Sequence, residues 1–197
     1  MNPATMCSLT FDDGPDTVWT PRVLDRLRRE GVRSTFFVMA DRARAHPALI
    51  DEMHSAGHEV ELHCLRHVRH SELEDPALSE DTEKGLRVLR GLGAHVRRWR
   101  PPWGVVTEAT RRVAGVHRLE VVRWTVDTRD WRGDPASHMH ARVGGALGAG
   151  SVVLLHDGIG PGARRTGCRE TAELIPRLVE TLADRGLRAV PLSENAG

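Results

Sequence analysis

The chain of 197 residues contains no tyrosine, and three phenylalanines and five tryptophans are its only other aromatic residues besides histidine. A long groove paved with stacked rings is therefore not evident. Its three cysteines, Cys7, Cys64 and Cys168, are odd in number, far apart and in no C-x-x-C pair. That spacing argues against a disulfide framework and predicts a reducing compartment. Lys84 is the single lysine, and the arginines that replace the others read as a coding bias toward GC-rich codons. The 28 basic and 27 acidic side chains nearly cancel, which leaves no electrostatic footprint for nucleic acid or an acidic membrane surface. No apolar run approaches membrane-spanning length, and no basic segment followed by an apolar one opens the chain. These absences predict a soluble, cytoplasmic protein, although a secreted protein with a trimmed leader would read the same.

What is present suits one domain over residues 1–197, enough for one well-filled core. Short apolar or β-branched runs alternate with amphipathic patterns, the signature of β-α units around a parallel sheet or barrel. Seven strands are expected: Met6 to Phe11, Ser34 to Met39, His58 to Leu62, Val96 to Arg100, Glu120 to Val126, Ser151 to His156 and Leu187 to Pro191. Helices are expected over Pro21 to Glu30, Pro47 to Ala56 and Glu170 to Arg185, the last taken as the longest. Leu174, Ile175, Leu178 and Leu182 give it a buried stripe. Gly31, Gly57 and Gly186 each stand where a helix stops and the next strand begins.

Polar residues gather at the predicted strand ends. Asp12 and Asp13, in Thr10-Phe11-Asp12-Asp13-Gly14-Pro15, cannot both be buried as like charges without a cation or proton between them. His63 and His67 stand four apart and fall on one side of the backbone. Two histidines and one aspartate make a metal-binding set, with the second aspartate left for chemistry. Arg100 ends the fourth strand, Asp127 and Asp130 the fifth, and His156 the sixth, so all should meet on one rim. Such a rim could supply metal, base, base-orienting cation and acid for hydrolysis of an unactivated carbonyl.

The run TFDDGP, the H-x-x-x-H of His63 and His67, Arg100-Pro101-Pro102-Trp103-Gly104, Asp127-Thr128-Arg129-Asp130-Trp131 and Leu154-Leu155-His156-Asp157 occur in a telling order. They resemble, one after another, the five motifs of the NodB-type polysaccharide deacetylases, carbohydrate esterase family 4. The match runs from Thr10 to the helix ending near Gly186. It implies the NodB homology fold, a distorted (β/α) barrel of about seven parallel strands in the α/β class. It also implies metal-dependent removal of an acyl group, usually N-acetyl, from an amino sugar.

Residue by residue, the resemblance makes Asp13, His63 and His67 the ligands of a divalent cation, commonly zinc, with cobalt or nickel as substitutes. Asp12 becomes the general base, held by Arg100 through a charge-assisted contact. His156 becomes the general acid, oriented by Asp127. The backbone N–H of Trp103 completes an oxyanion site, and Trp131 with Leu154 walls the acyl pocket.

Some positions depart from the pattern. Cys64 stands where the family has a hydroxyl; as a neighbour of His63 on an extended chain it should point away from the ligands. His70 is expected behind the ligands or facing substrate, His58 as structural, and His138 with His140 on a surface helix. Arg164 and Arg165, in the loop Gly158 to Gly167, would suit an anionic substrate if they face the site. A small N-acylated metabolite is as consistent with the sequence as a polymer, and no partner copy can be read from it. The alternatives on the same scaffold are an ester O-deacetylase and a deformylase. More distant are a non-haem iron oxygenase, which has no use for Asp12, Arg100 and His156, and an inactive sugar-binding module, which would be expected to have lost one of the core residues.

Overall fold

The first strand, β1 (Met6–Asp12), is buried along its whole length and sits at the centre of an eight-stranded parallel sheet. The computed structural model describes residues 5–195. The other strands are β2 (Thr35–Met39), β3 (Glu59–Cys64), β4 (Arg98–Trp99), β5 (Glu120–Val121), β6 (Val126–Asp127), β7 (Val152–His156) and β8 (Arg188–Ala189). Their order across the sheet is β5-β4-β3-β2-β1-β7-β6, with β8 on the N-terminal half of β1. This is the expected α/β class, a barrel left open between β5 and β6.

Alternation along β1 sorts the two faces. Cys7, Leu9 and Phe11 join the main apolar core between sheet and helices, where Phe11 stacks on Phe36 at 5.0 Å between ring centres. Ser8, Thr10 and Asp12 alternate with them and take the opposite, inner face. The inside of the curl has its own small apolar cluster, Phe37, Val122 and Leu192. Arg100, with no exposed surface, lays its guanidinium 4.1 Å from the Phe37 ring.

The helices are α1 (Trp19–Arg29), α2 (Ala40–Ala45), α3 (Pro47–Ser55), α4 (Asp75–Gly91), α5 (Glu108–His117), α6 (Ala136–Val143), α7 (Arg169–Asp184) and α8 (Leu192–Asn195). The buried stripe of α7 is the predicted one, Leu174, Ile175, Leu178 and Leu182; each side chain contributes roughly 1.5–3 kcal/mol by leaving water. The longest helix is not α7 but α4, at 17 residues, in a stretch where the sequence reading placed no helix. Its apolar positions Leu78, Leu86 and Leu89 are diluted by Thr82 and Gly85, both buried, so the stripe is thin in the sequence.

The run expected as one strand over Glu120 to Val126 is two short ones. β5 pairs with β4 and β6 pairs with β7, so residues 122–125 cross the opening from one sheet edge to the other. A continuous strand cannot belong to both edges. No helix among the described residues is long and apolar enough to cross a membrane.

Candidate active site

The C-terminal ends of the strands bring the expected residues together. β1 and β7 pair in register so that Asp12 faces His156, and Asp13 follows in a left-handed turn with φ 72°. His63, on β3, and His67, in the loop after it, point their Nε2 atoms at Asp13 Oδ1 from 3.3 and 3.2 Å. All three ligand atoms lie within 4.8 Å of one another.

This donor set fits a divalent cation. Asp13 Oδ1 is buried without a hydrogen-bond partner, an expensive arrangement unless a positive charge shares the space. Burial raises the cost of ionising Asp13, but the two imidazoles against it prevail and hold its carboxyl well below the usual range. His63 Nδ1 lies 2.6 Å from the Arg100 carbonyl, which can only accept, so Nδ1 donates there and Nε2 is the nitrogen turned inward toward Asp13. His67 packs edge-on against Trp103 at 4.2 Å.

Asp13 is clamped from behind by groups absent from the sequence reading. Arg42 on α2 donates from Nη1 to the Asp13 carbonyl at 2.7 Å and from Nη2 to the Ile159 carbonyl at 2.9 Å, tying two loops together. The glycine-rich loop after β7 then closes on the ligand. A Cβ built on Gly160 would stand 2.1 Å from Asp13 Oδ2, so no side chain fits there.

Asp12 accepts from Arg100 Nη1 at 2.8 Å, and the same nitrogen donates to Thr10 Oγ1 at 2.8 Å. Arg100 Nη2 reaches the Arg123 carbonyl at 3.2 Å. The pairing expected between Asp12 and Arg100 is the one observed.

The partner of His156 is Asp130, not Asp127. His156 Nδ1 donates to Asp130 Oδ1 at 2.7 Å, and the His156 backbone N–H donates to Oδ2 at 2.9 Å. Asp127 turns instead to the backbone N–H of Arg129 at 2.8 Å while bordering the cleft. Arg129 adopts φ 54°, which swings the next residue back beneath the histidine. Nothing in the spacing D-x-x-D chooses between the two carboxylates; the left-handed turn does.

Arg165 is a second departure. It is buried, not a rim charge, and its Nη1 donates to Asp130 Oδ2 at 2.8 Å while Nη2 donates to the Gly158 carbonyl at 2.8 Å. Thr171 Oγ1 adds a third donor to Oδ2 at 2.7 Å. Burial opposes the charge on Asp130, yet His156, Arg165 and Thr171 hold it well below the usual range. Burial likewise pulls His156 down, but Asp130, with Asp13 and Asp12 beyond it, pushes it up to about 9.

The cleft above these groups has a volume of about 390 Å³ and is bordered by Trp103, Trp124, Trp131 and Leu154 among others. The three tryptophans are half-buried, whereas Leu154 is buried. Trp103 sits in a tight turn at φ 53°. No motif in the sequence marks Trp124, which fills the crossing between β5 and β6.

The remaining expectations divide. Cys64 is buried beside His63 and is not among the converging ligands; burial and nearby carboxylates raise its thiol well above the usual value. His70 lies behind the ligands, with Nδ1 2.9 Å from Thr110 Oγ1 and its ring on Trp99, and burial lowers it to about 4. His58 is structural: its Nδ1 accepts from the Ser34 N–H at 3.0 Å. His138 and His140 lie on α6 as expected, and His140 Nε2 meets Thr181 Oγ1 at 2.7 Å.

Residues 2–122 match the family described as polysaccharide deacetylase. A chitooligosaccharide deacetylase of Bradyrhizobium sp. (strain ANU 289) is 34% identical over 193 residues, 94% of this chain and 88% of that one. A peptidoglycan-N-acetylglucosamine deacetylase of Bacillus cereus is 31% identical over 195 residues, covering 98% and 89%. Among solved structures, a family 4 carbohydrate esterase from Streptomyces lividans in complex with acetate superposes with a TM-score of 0.86 at 30% identity, covering 98% of this chain and 95% of that one. Motifs in order, an open parallel barrel and these likenesses lead to one assignment: the chain belongs to the polysaccharide deacetylases, the family 4 carbohydrate esterases.

Proposed function

We propose that this chain is a metal-dependent hydrolase that removes the N-acetyl group from an amino sugar within an oligosaccharide, residues 1–197 acting as one catalytic domain. The observation that carries the reading is the placement of Asp12 and His156 as register partners beside the converging Asp13, His63 and His67. A base and an acid are thereby set next to a cation site. The relatives that act on chitooligosaccharide and on peptidoglycan N-acetylglucosamine support an acetamido sugar as substrate.

Asp13, His63 and His67 would hold the cation, for which two imidazoles and a carboxylate suit zinc, with cobalt or nickel as replacements. Such an ion, when bound, polarises the acyl oxygen and makes water a better nucleophile at neutral pH. Asp12, fixed by Arg100, takes a proton from the water that attacks the acyl carbon. The N–H of Trp103 donates to the oxygen that becomes negative as the carbon turns tetrahedral. His156, kept protonated by Asp130, passes its proton to the amide nitrogen as the C–N bond breaks, because an unprotonated amine anion is a poor leaving group. Acetate and the free amino sugar leave. Leu154 and Trp131 bound the space for the acetyl methyl.

Acetate release from N-acetylglucosamine oligomers tests the reading. Turnover should vanish on chelation and return with zinc, cobalt or nickel; turnover by a proven metal-free preparation would overturn it. Acetylated xylan and N-formyl sugars in the same panel separate amide from ester and acetyl from formyl chemistry.

A further inference from the structure

The two imidazoles of the ligand set are held in different ways. His63 is fixed from behind: its Nδ1 meets the Arg100 carbonyl at 2.6 Å, and its own carbonyl accepts from Trp99 Nε1 at 3.0 Å. His67 lacks this support, because its Nδ1 is buried with no hydrogen-bond partner. A metal-binding imidazole ordinarily has its second nitrogen held, and that partner sets the direction of the ring. For His67 the direction has to come from ring packing on Trp103 and from the backbone that carries it.

That backbone hangs on one side chain. Where the chain leaves β3, the N–H of Leu65 donates to Asp81 Oδ2 at 3.0 Å and the N–H of Arg66 donates to Asp81 Oδ1 at 3.3 Å. One carboxylate thus takes two successive amides, which fixes the bend where a single bond would leave it free to pivot. The N–H of Val68 then reaches back to the Arg66 carbonyl at 2.9 Å and closes the turn that delivers His67. Among the described residues no other side chain hydrogen-bonds the backbone of residues 64–68.

Asp81 reaches the loop because α4 lies close to it. Gly85 shares the face of Asp81, four residues on. A Cβ there would stand 2.9 Å from Leu62 Cδ1 and 3.5 Å from the Leu65 nitrogen, so the absent side chain lets the helix rest against the end of β3. Asp81 is half-buried at that contact.

The structure assigns Asp81 as a positioning residue. It touches no reacting atom; it aims His67 Nε2 at the cation by holding the two amides that precede the histidine. The assignment rests on Asp13, His63 and His67 being the ligands, and adds that the aim of the second imidazole is a property of α4.

Zinc affinity, measured by competition with a chromophoric chelator, and the visible spectrum of the cobalt-substituted protein test it. In Asp81→Ala zinc affinity should fall about 10–100-fold, and the cobalt bands, which report ligand geometry, should shift. Asparagine keeps one acceptor oxygen for two donors, so Asp81→Asn should lose less on both readouts; it is the variant read if Asp81→Ala does not fold. Thr82→Val is the control, since it removes the buried bond from Thr82 Oγ1 to the Leu78 carbonyl, 2.8 Å long, on the same helix. It should lower thermal stability and leave zinc affinity and the cobalt bands as they are. Wild-type zinc affinity in the Asp81 variants, an unchanged cobalt spectrum, or an equal loss of zinc affinity in Thr82→Val would overturn the assignment. A wild-type protein that binds no zinc is a different failure: it removes the ligand set itself, and the assignment with it.

Discussion

Arg165 and Asp130 form a buried ion pair of 2.8 Å directly behind His156. One carboxylate thus serves two partners, its Oδ1 facing the imidazole and its Oδ2 facing the guanidinium. The histidine's proton and the loop that carries Arg165 are linked through a single side chain.

The first consequence is a pH limb. His156, raised to about 9, is protonated below that value and loses its proton above it, so kcat should fall as pH rises through this range. A cation on Asp13 screens one of the carboxylates that raise it and moves the limb downward. In Asp130→Asn the raising charge is gone, and the alkaline limb should shift to lower pH with kcat reduced about 10²–10⁴-fold. Asp127→Asn should leave the limb in place. A pH–rate profile of the three proteins checks both statements.

Arg165→Met should cost stability more than chemistry. It leaves the buried Asp130 with His156 as its only charged partner, a loss of about 3 kcal/mol. Thermal or urea denaturation measures it. A stability equal to the wild type would show that Thr171 and the backbone N–H of His156 suffice.

Gly160→Ala acts on the ligand set without touching a donor. Its added carbon would meet Asp13 Oδ2 at 2.1 Å, so the carboxylate or the loop must move. Zinc affinity should drop about 10–100-fold, the size typical of losing a group that positions a ligand. Calorimetric zinc titration reads this directly, with the circular dichroism spectrum unchanged.

Asp12→Asn should separate binding from catalysis. Zinc binding should persist, because Asp12 is held by Arg100 and stands outside the converging set, while acetate release should fall about 10²–10⁴-fold. Full turnover in this variant would remove Asp12 from the role of base.

Much of the site was legible because its residues sit at strand ends, where a parallel sheet brings distant segments to one rim. Asp12, Asp13, His63, Arg100 and His156 follow from that rule alone. The rule is silent about what a loop does after the strand stops. Asp127 and Asp130 differ by one left-handed residue, Arg129, and an arginine does not announce such a turn as glycine or asparagine would. Arg165 looked like a surface charge because its ion-pair partner, Asp130, lies 35 residues away in the chain. Arg42 gave no signal at all, since it acts on two backbone carbonyls. In the fold, α4 was hidden by the small buried residues Thr82 and Gly85, and β5 and β6 were fused because hydrophobic alternation does not report which neighbour a strand pairs with.

The opening between β5 and β6 leaves Arg123 and Trp124 as barrel wall spanning two sheet edges, with neither residue in a strand. The flanking ties, Val122 N–H to the Trp99 carbonyl and Thr125 N–H to the Val152 carbonyl, both at 2.9 Å, anchor the two ends independently. The dipeptide between them can therefore vary in size and charge with the ladder intact. The cleft lining can be retuned at this seam while Asp12 and His156, fixed on β1 and β7, stay put. A library randomised at these two positions should yield altered substrate preference at little cost in folded protein, which makes the seam the natural starting point for redirecting this scaffold.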